Sequence, residues 1–151
     1  MNSKETENQM MKKVIIIYNS KTGTTKKYSN EIGMYLRNNG NEVVVLSIEE
    51  YTNDKLNHAD YLLLGCWTSG LMFFLQHPEK IWIDFATKLP NPLKPKIALF
   101  TTYKILTGSM FKKMHMHLNG LIGASFTAIK SRNGVLSESD KKVLDKFINL
   151  Q

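Results

Sequence analysis

The stretch VIIIYNSKTGTTKKY, residues 14–28, constrains the fold more than any other part of the chain. It opens with four β-branched apolar residues, Val14 to Ile17, and such a short run is typical of a strand buried on both faces. A polar turn follows, and a helical pattern of apolar residues begins after it. A strand, a tight turn and a helix N-terminus together make an anion site, because the unpaired N–H groups and the positive end of the helix dipole face the anion.

The polar turn contains the residue types that such a site needs. Gly23 lets the backbone come close to a ligand, and the hydroxyl of Thr24 or Thr25 is predicted to cap the following helix. The turn is neither a Walker loop nor a dinucleotide fingerprint, since both glycine patterns are absent from the chain. A Ser/Thr-rich turn that caps a helix and binds nothing is the alternative interpretation.

The rest of the chain alternates apolar strands with amphipathic helices. Strands are predicted at 14–18, 42–48, 61–66, 96–100 and 122–129. This alternation predicts a parallel sheet with helices on both faces and right-handed crossovers. A length of 151 residues favours a single domain. We expect this domain to span residues 12–151 and residues 1–11 to be a disordered leader.

Composition limits the classes of protein that remain. The single cysteine, Cys66, excludes an internal disulfide and fits a reducing compartment. No apolar run is long enough to cross a membrane, so we expect a soluble, cytoplasmic protein. The formal charge is +7, which favours anionic partners. The lysines are dispersed and no nucleic-acid signature occurs, so nucleic acid is not the expected partner.

The turn after the first strand resembles the phosphate loop of flavodoxins, whose pattern is Ser/Thr-x-Thr-Gly-Asn/Thr-Thr. Every defined position is matched by Ser20, Lys21, Thr22, Gly23, Thr24 and Thr25. The resemblance implies a three-layer α/β fold of the flavodoxin type, with a five-stranded parallel sheet in the order 2-1-3-4-5. It also implies FMN as the cofactor, with the loop wrapped around its phosphate.

Two further segments resemble the same family more loosely. After the third strand come Trp67, Thr68, Ser69 and Gly70; flavodoxins place an aromatic residue and a glycine here against the isoalloxazine ring, although Trp67 is alternatively a core residue. The loop after the fourth strand resembles Phe-x-Thr-Tyr/Phe-x-x-x-x-Gly. This resemblance implies flavin contacts from Thr101, Thr102, Tyr103 and Gly108.

The charge of the loops departs from the family, whose members are usually acidic around the flavin. In or beside the three loops this chain has Lys21, Lys26, Lys27, Lys104, Lys112 and Lys113. The leading prediction is an FMN protein, a monomer or weak dimer, that transfers electrons between redox partners. Its partner is then a redox protein or a small anionic acceptor.

Two other functions fit the same residues. One is an FMN-dependent reductase or oxidase of a small quinone or porphyrinogen. The other is a flavin-free scaffold that binds protein through Leu71 to Phe74. We assign no catalytic or metal-binding role to side chains outside the loops. Cys66 is expected to be an inert core thiol, and His115 and His117 lie two apart on a helix, too far around it to share a metal.

Overall fold

The computed structural model describes residues 11–71, 74–118 and 120–149. Within these residues the strands are β1 (Lys13–Asn19), β2 (Glu42–Ser47), β3 (Tyr61–Trp67), β4 (Ser69–Leu71), β5 (Phe74–His77), β6 (Lys96–Thr102) and β7 (Thr127–Ser131). The α-helices are α1 (Thr24–Asn38), α2 (Lys80–Thr87), α3 (Met110–His117) and α4 (Glu138–Asn149), and a 3-10 helix spans Asn53–Leu56. None of the helices in this part of the chain is long and apolar enough to span a membrane. The predicted leader falls almost entirely on residues outside this description.

The main sheet has five strands in the order β2-β1-β3-β6-β7, and all four pairings are parallel. Counted along the chain, this is the predicted order 2-1-3-4-5. Two details of the sequence-based prediction are wrong. The segment from Trp67 to His77, after the third predicted strand, was expected to be a loop, but Trp67 ends β3 and the rest contains β4 and β5, which form an antiparallel hairpin. The last strand begins at Thr127, because residues 121–126 pack apolar side chains on the core without joining the sheet.

Helices cover both faces of the sheet, as the alternation predicts. On one face, Ile16 and Leu63 share a buried cluster with residues of α1 and α4. On the other, Ile15 and Leu62 pack with residues of α2 and α3. Because β1 and β3 are buried on both sides, their ends are fixed in space, and the loops that leave their carboxyl ends start from rigid positions.

A buried hydrogen bond joins α1 to α4. The hydroxyl of Tyr28 donates to Asp140 Oδ2 over 2.7 Å, and Asp140 is only 9% exposed. Burial, reinforced by the bond to this carboxylate, raises the pKa of Tyr28 far above its usual value, so the phenol remains a donor. Ser137 caps the start of α4, since its hydroxyl accepts from the Asp140 N–H over 3.1 Å.

Replacement of Tyr28 by phenylalanine should therefore destabilise the fold. Tyr28→Phe leaves a nearly buried carboxylate without its donor, so we expect the free energy of unfolding to fall by about 1–3 kcal/mol. Urea denaturation measures the change. Tyr35→Phe is the matched control, because Tyr35 donates over 2.7 Å to Asp145 in an exposed pair between the same two helices, and its loss should cost about 0.5 kcal/mol or less. If both variants lost the same free energy of unfolding, the buried bond between Tyr28 and Asp140 would not have the stabilising role assigned to it.

Candidate functional site

The loops at the carboxyl ends of β1, β3 and β6 enclose a cleft of about 380 Å³. A volume of this order is typical of a site for a small organic ligand. The lining residues come from the predicted loops, from the hairpin and from the end of β7. They are Lys21, Thr22, Thr24, Trp67, Thr68, Ser69, Gln76, Thr102, Tyr103, Lys104, Ile105, Leu106 and Arg132.

The turn before α1 borders this cleft and leaves two backbone N–H groups unpaired. Gly23 has a φ of 94°, in the left-handed region, and α1 begins at the next residue. No hydrogen bond in the described part of the chain satisfies the N–H groups of Thr24 and Thr25. The first N–H groups of a helix lack partners in the helix itself and bind anions readily, so this turn is built to accept one.

Capping of α1 differs from the prediction, which gave the role to Thr24 or Thr25. Both threonines lie inside the helix, where their hydroxyls are past the capping position. Ser20 caps it instead: its hydroxyl accepts from the N–H of Gly23 over 3.1 Å and from the N–H of Lys26 over 3.2 Å. Ser20 thus shapes the turn and does not line the cleft.

Buried hydroxyl groups form the floor of the cleft. The hydroxyls of Thr25 and Thr102 lie 2.6 Å apart and join the first turn of α1 to the end of β6. Thr101 donates to the Cys66 carbonyl over 2.6 Å and lies 3.0 Å from the Thr68 hydroxyl. Thr25 and Thr101, both predicted as ligand contacts, therefore support the cleft from below.

Trp67 forms one wall, and its ring is fixed from behind. The indole N–H donates to Glu79 Oε2 over 3.0 Å, and the same oxygen accepts from Asn19 Nδ2 over 2.8 Å. The ammonium of Lys21 lies 4.8 Å from the centre of the Trp67 ring. Trp67 is half-buried, so it is not simply a core residue. Neither Glu79 nor Asn19 belongs to a motif, so no local sequence signal predicted that they hold the Trp67 ring in place.

Tyr103 also lines the cleft, and two cations lie close to its ring. Lys130 Nζ and Arg132 Cζ are each 5.6 Å from the centre of its ring, and its N–H donates to the Ser131 carbonyl over 3.2 Å. The third loop is thereby tied to the end of β7. Arg132 lines the cleft but was missed by the sequence analysis, because its strand was predicted to end earlier.

Gly108 shapes the cleft indirectly. A Cβ atom at Gly108 would lie 2.3 Å from Gln76 Oε1, and Gln76 is a buried residue of β5 that lines the cleft. Gly108 thus leaves room for Gln76 and is not itself in the lining. Gly70 lies in β4 rather than in an irregular loop. The apolar segment Leu71 to Phe74 falls partly on residues outside the description, so its predicted role is untested.

The side chains around the cleft also limit its chemistry. Its described lining contains no carboxylate, imidazole or thiol. Cys66 is fully buried, and burial, with a smaller effect of Glu79, raises the pKa of its thiol, which therefore stays protonated. In the described residues no three His, Cys, Asp or Glu side chains are grouped as metal ligands. The cleft is suited to holding an aromatic, anionic ligand rather than to proton transfer.

The hydrogen bond between the hydroxyls of Thr25 and Thr102, beneath the cleft, can be tested by substitution. Thr25→Val or Thr102→Val alone leaves a buried hydroxyl unpaired, so each should lower the free energy of unfolding by about 1–3 kcal/mol. The double variant should cost clearly less than the sum, because both polar groups are removed together. Thr25→Val combined with Thr87→Val, on the exposed surface of α2, is the additive control. Additive costs for the buried pair would refute the contact.

A parallel sheet in this order, with an anion-binding turn after its first strand, defines the flavodoxin-like class. The family model described as Flavodoxin matches residues 16–86. A flavodoxin from Clostridium beijerinckii is 27% identical over 106 residues, which are 70% of this chain and 75% of that protein. The chain has the flavodoxin-like fold, and its sequence is similar to that of flavodoxins.

Solved structures show the same fold. The two-electron reduced flavodoxin of Megasphaera elsdenii superposes with a TM-score of 0.64 at 25% identity, over 89% of this chain and 96% of that one. Rubredoxin oxygen:oxidoreductase from Desulfovibrio gigas gives a TM-score of 0.66 at 17% identity over 89% of this chain. This chain spans only 34% of that enzyme, so the likeness concerns one part of it.

Proposed function

We propose that this flavodoxin-like protein binds FMN in the cleft and transfers electrons between redox partners in the cytoplasm. The observation that carries the proposal is the turn at Gly23, where a left-handed glycine and two unpaired N–H groups open α1 toward the cleft. The ammonium of Lys21 and the hydroxyls of Thr22 and Thr24 add to it. This donor set fits a phosphate group.

The phosphate role is assigned to the loop as a unit. The N–H groups of Thr24 and Thr25 donate to the phosphate, and Lys21 and Thr22 reach it through their side chains. Ser20 and Gly23 hold the loop in shape. The flavin ring is assigned to the space lined by Trp67 and Tyr103, which exclude water from it. The remaining contacts are assigned to Thr68, Ser69, Gly70 and Thr102, while Thr101 and Gly108, which were predicted as contacts, support the cleft without lining it.

Electron transfer suits this cleft better than substrate chemistry. When bound, FMN supplies one- and two-electron transfer. The described lining contributes cations, hydroxyls, an amide and two aromatic rings, which suit the binding of an anionic, aromatic cofactor. The residues of the chain therefore bind and orient the cofactor.

Identification of the cofactor tests the proposal directly. Flavin released from the purified protein should run as FMN in chromatography. The apoprotein should bind FMN at least about 100-fold more tightly than riboflavin, because two charge-assisted hydrogen bonds to the phosphate at about 1.5 kcal/mol each are lost with it. Fluorescence quenching of the flavin gives both affinities. Recovery of FAD, or equal affinities, would overturn the assignment.

The role of Gly23, just before α1, can be tested by comparison with Gly40, a glycine just after the end of the same helix. Gly23 and Gly40 have φ values of 94° and 87°, and a Cβ at either would meet nothing within 4 Å. Gly23→Val and Gly40→Val should each lose about 1–3 kcal/mol of stability through backbone strain. Only Gly23→Val should lose FMN binding, since it reshapes the phosphate loop. If both variants bind FMN equally well, the loop is not the phosphate site.

A further inference from the structure

Positive charge is concentrated on one side of the cleft. Three lysines surround the turn before α1, one follows β6, and two cations lie on or after β7. These residues, called the cationic rim, are Lys21, Lys26, Lys27, Lys104, Lys130 and Arg132, and all are exposed. The rim is drawn from three loops and a strand end that are distant in sequence, so it appears only when the chain folds.

Acidic residues at the same edge of the sheet do not neutralise the rim. In the described residues the one ion pair joins Lys141 to Glu138. Asp140 is bonded to a tyrosine inside the fold, and Glu79 to an indole and an amide. Glu49 and Glu50 follow β2, with β1, β3 and β6 between that strand and β7. Because no rim cation forms an ion pair in the described residues, the rim presents a net positive charge to solvent.

An exposed apolar pair lies inside the rim. Ile105 and Leu106 line the cleft and are 39% and 48% exposed. An apolar centre with a polar margin is the usual anatomy of a protein–protein interface. Lys130 and Arg132 already rest on the Tyr103 ring, so they lose less side-chain freedom on docking than unsupported cations would.

We propose that the cationic rim and the Ile105–Leu106 pair form the docking surface for an acidic redox protein. This inference rests on the proposed function and adds the chemistry of the partner. Electrostatic attraction brings the partner to the cleft, and the apolar pair is buried on contact. A small anion needs no exposed apolar pair. Single-stranded nucleic acid stacks on exposed aromatic rings, whereas the two rings inside this rim, Trp67 and Tyr103, line the cleft that is assigned to the flavin.

Two forms of one electron acceptor test the charge of the partner. Cytochrome c is basic, and succinylation of its lysines makes it acidic. The FMN-loaded protein is reduced and mixed with each form; one electron passes from the reduced flavin to the haem and converts Fe(III) to Fe(II). At low ionic strength the succinylated form should react at least about tenfold faster. Its rate should fall with added salt, and that of the native form should rise.

Charge-reversal variants locate the surface. Lys26→Glu with Lys130→Glu removes charge from the rim, and Lys55→Glu with Lys94→Glu makes the same change in exposed positions before β3 and β6. Rates are compared at saturating FMN, so a change of cofactor affinity does not affect them. The rim variant should lose most of the advantage of the acidic acceptor, and the control should keep it. Equal losses would overturn the proposal.

The apolar pair separates a protein partner from other anions. At saturating FMN, Leu106→Ser should slow electron transfer to succinylated cytochrome c by a larger factor than transfer to ferricyanide, because only the protein acceptor buries the apolar pair. Equal slowing of both acceptors, or rim-dependent binding of a 20-nucleotide DNA strand at 0.15 M salt, would overturn the acidic-protein assignment. Failure of the apoprotein to take up FMN would instead refute the proposed function. Bound FMN with no preference for the acidic acceptor would refute this inference alone.

Discussion

The site depends on the unpaired N–H groups at the start of α1. A parallel strand that is buried on both faces must return to the sheet through a crossover, and here the helix that follows β1 begins at the carboxyl edge of the sheet. Its first N–H groups lack acceptors in the helix. At Gly23 the chain adopts a left-handed conformation that starts the helix within the turn, so an anion can satisfy these groups. The geometry of β1 thus places these unpaired N–H groups at the carboxyl edge of the sheet.

Around this turn, the cleft is held by groups that do not contact a ligand. The buried hydroxyls of Thr25 and Thr102 join the phosphate loop to the third loop, and Glu79 holds Trp67 through its indole N–H. Such contacts keep the lining residues in place before a ligand arrives, which lowers the entropy lost on binding. Some residues that were predicted as ligand contacts, such as Thr101, belong to this supporting layer beneath the cleft.

The sequence was enough to predict the sheet order and the three loops that converge on the cleft, because these follow from local patterns and from the resemblance to flavodoxins. It was not enough where the outcome depends on contacts between distant residues. The hydroxyl of Ser20, not of Thr24 or Thr25, caps α1, since the bend at Gly23 determines which oxygen reaches the helix. The strand predicted at 122–129 begins only at Thr127, because Ile122 and Phe126 pack against the core as partly buried side chains without joining the sheet. Gln76 and Arg132 reach the cleft only through the hairpin and the end of β7, which have no local signal.

The central claim is that the turn before α1 binds the phosphate of FMN. It is tested most directly by following the backbone amides of isotope-labelled apoprotein in nuclear magnetic resonance titrations with FMN and with riboflavin. FMN should shift the amide protons of Thr24 and Thr25 strongly downfield, as new hydrogen bonds to phosphate form. Riboflavin should leave those two amides unchanged while it shifts the amides of the loop at Tyr103. Amides of Thr24 and Thr25 that respond to neither ligand, or equally to both, would contradict the claim.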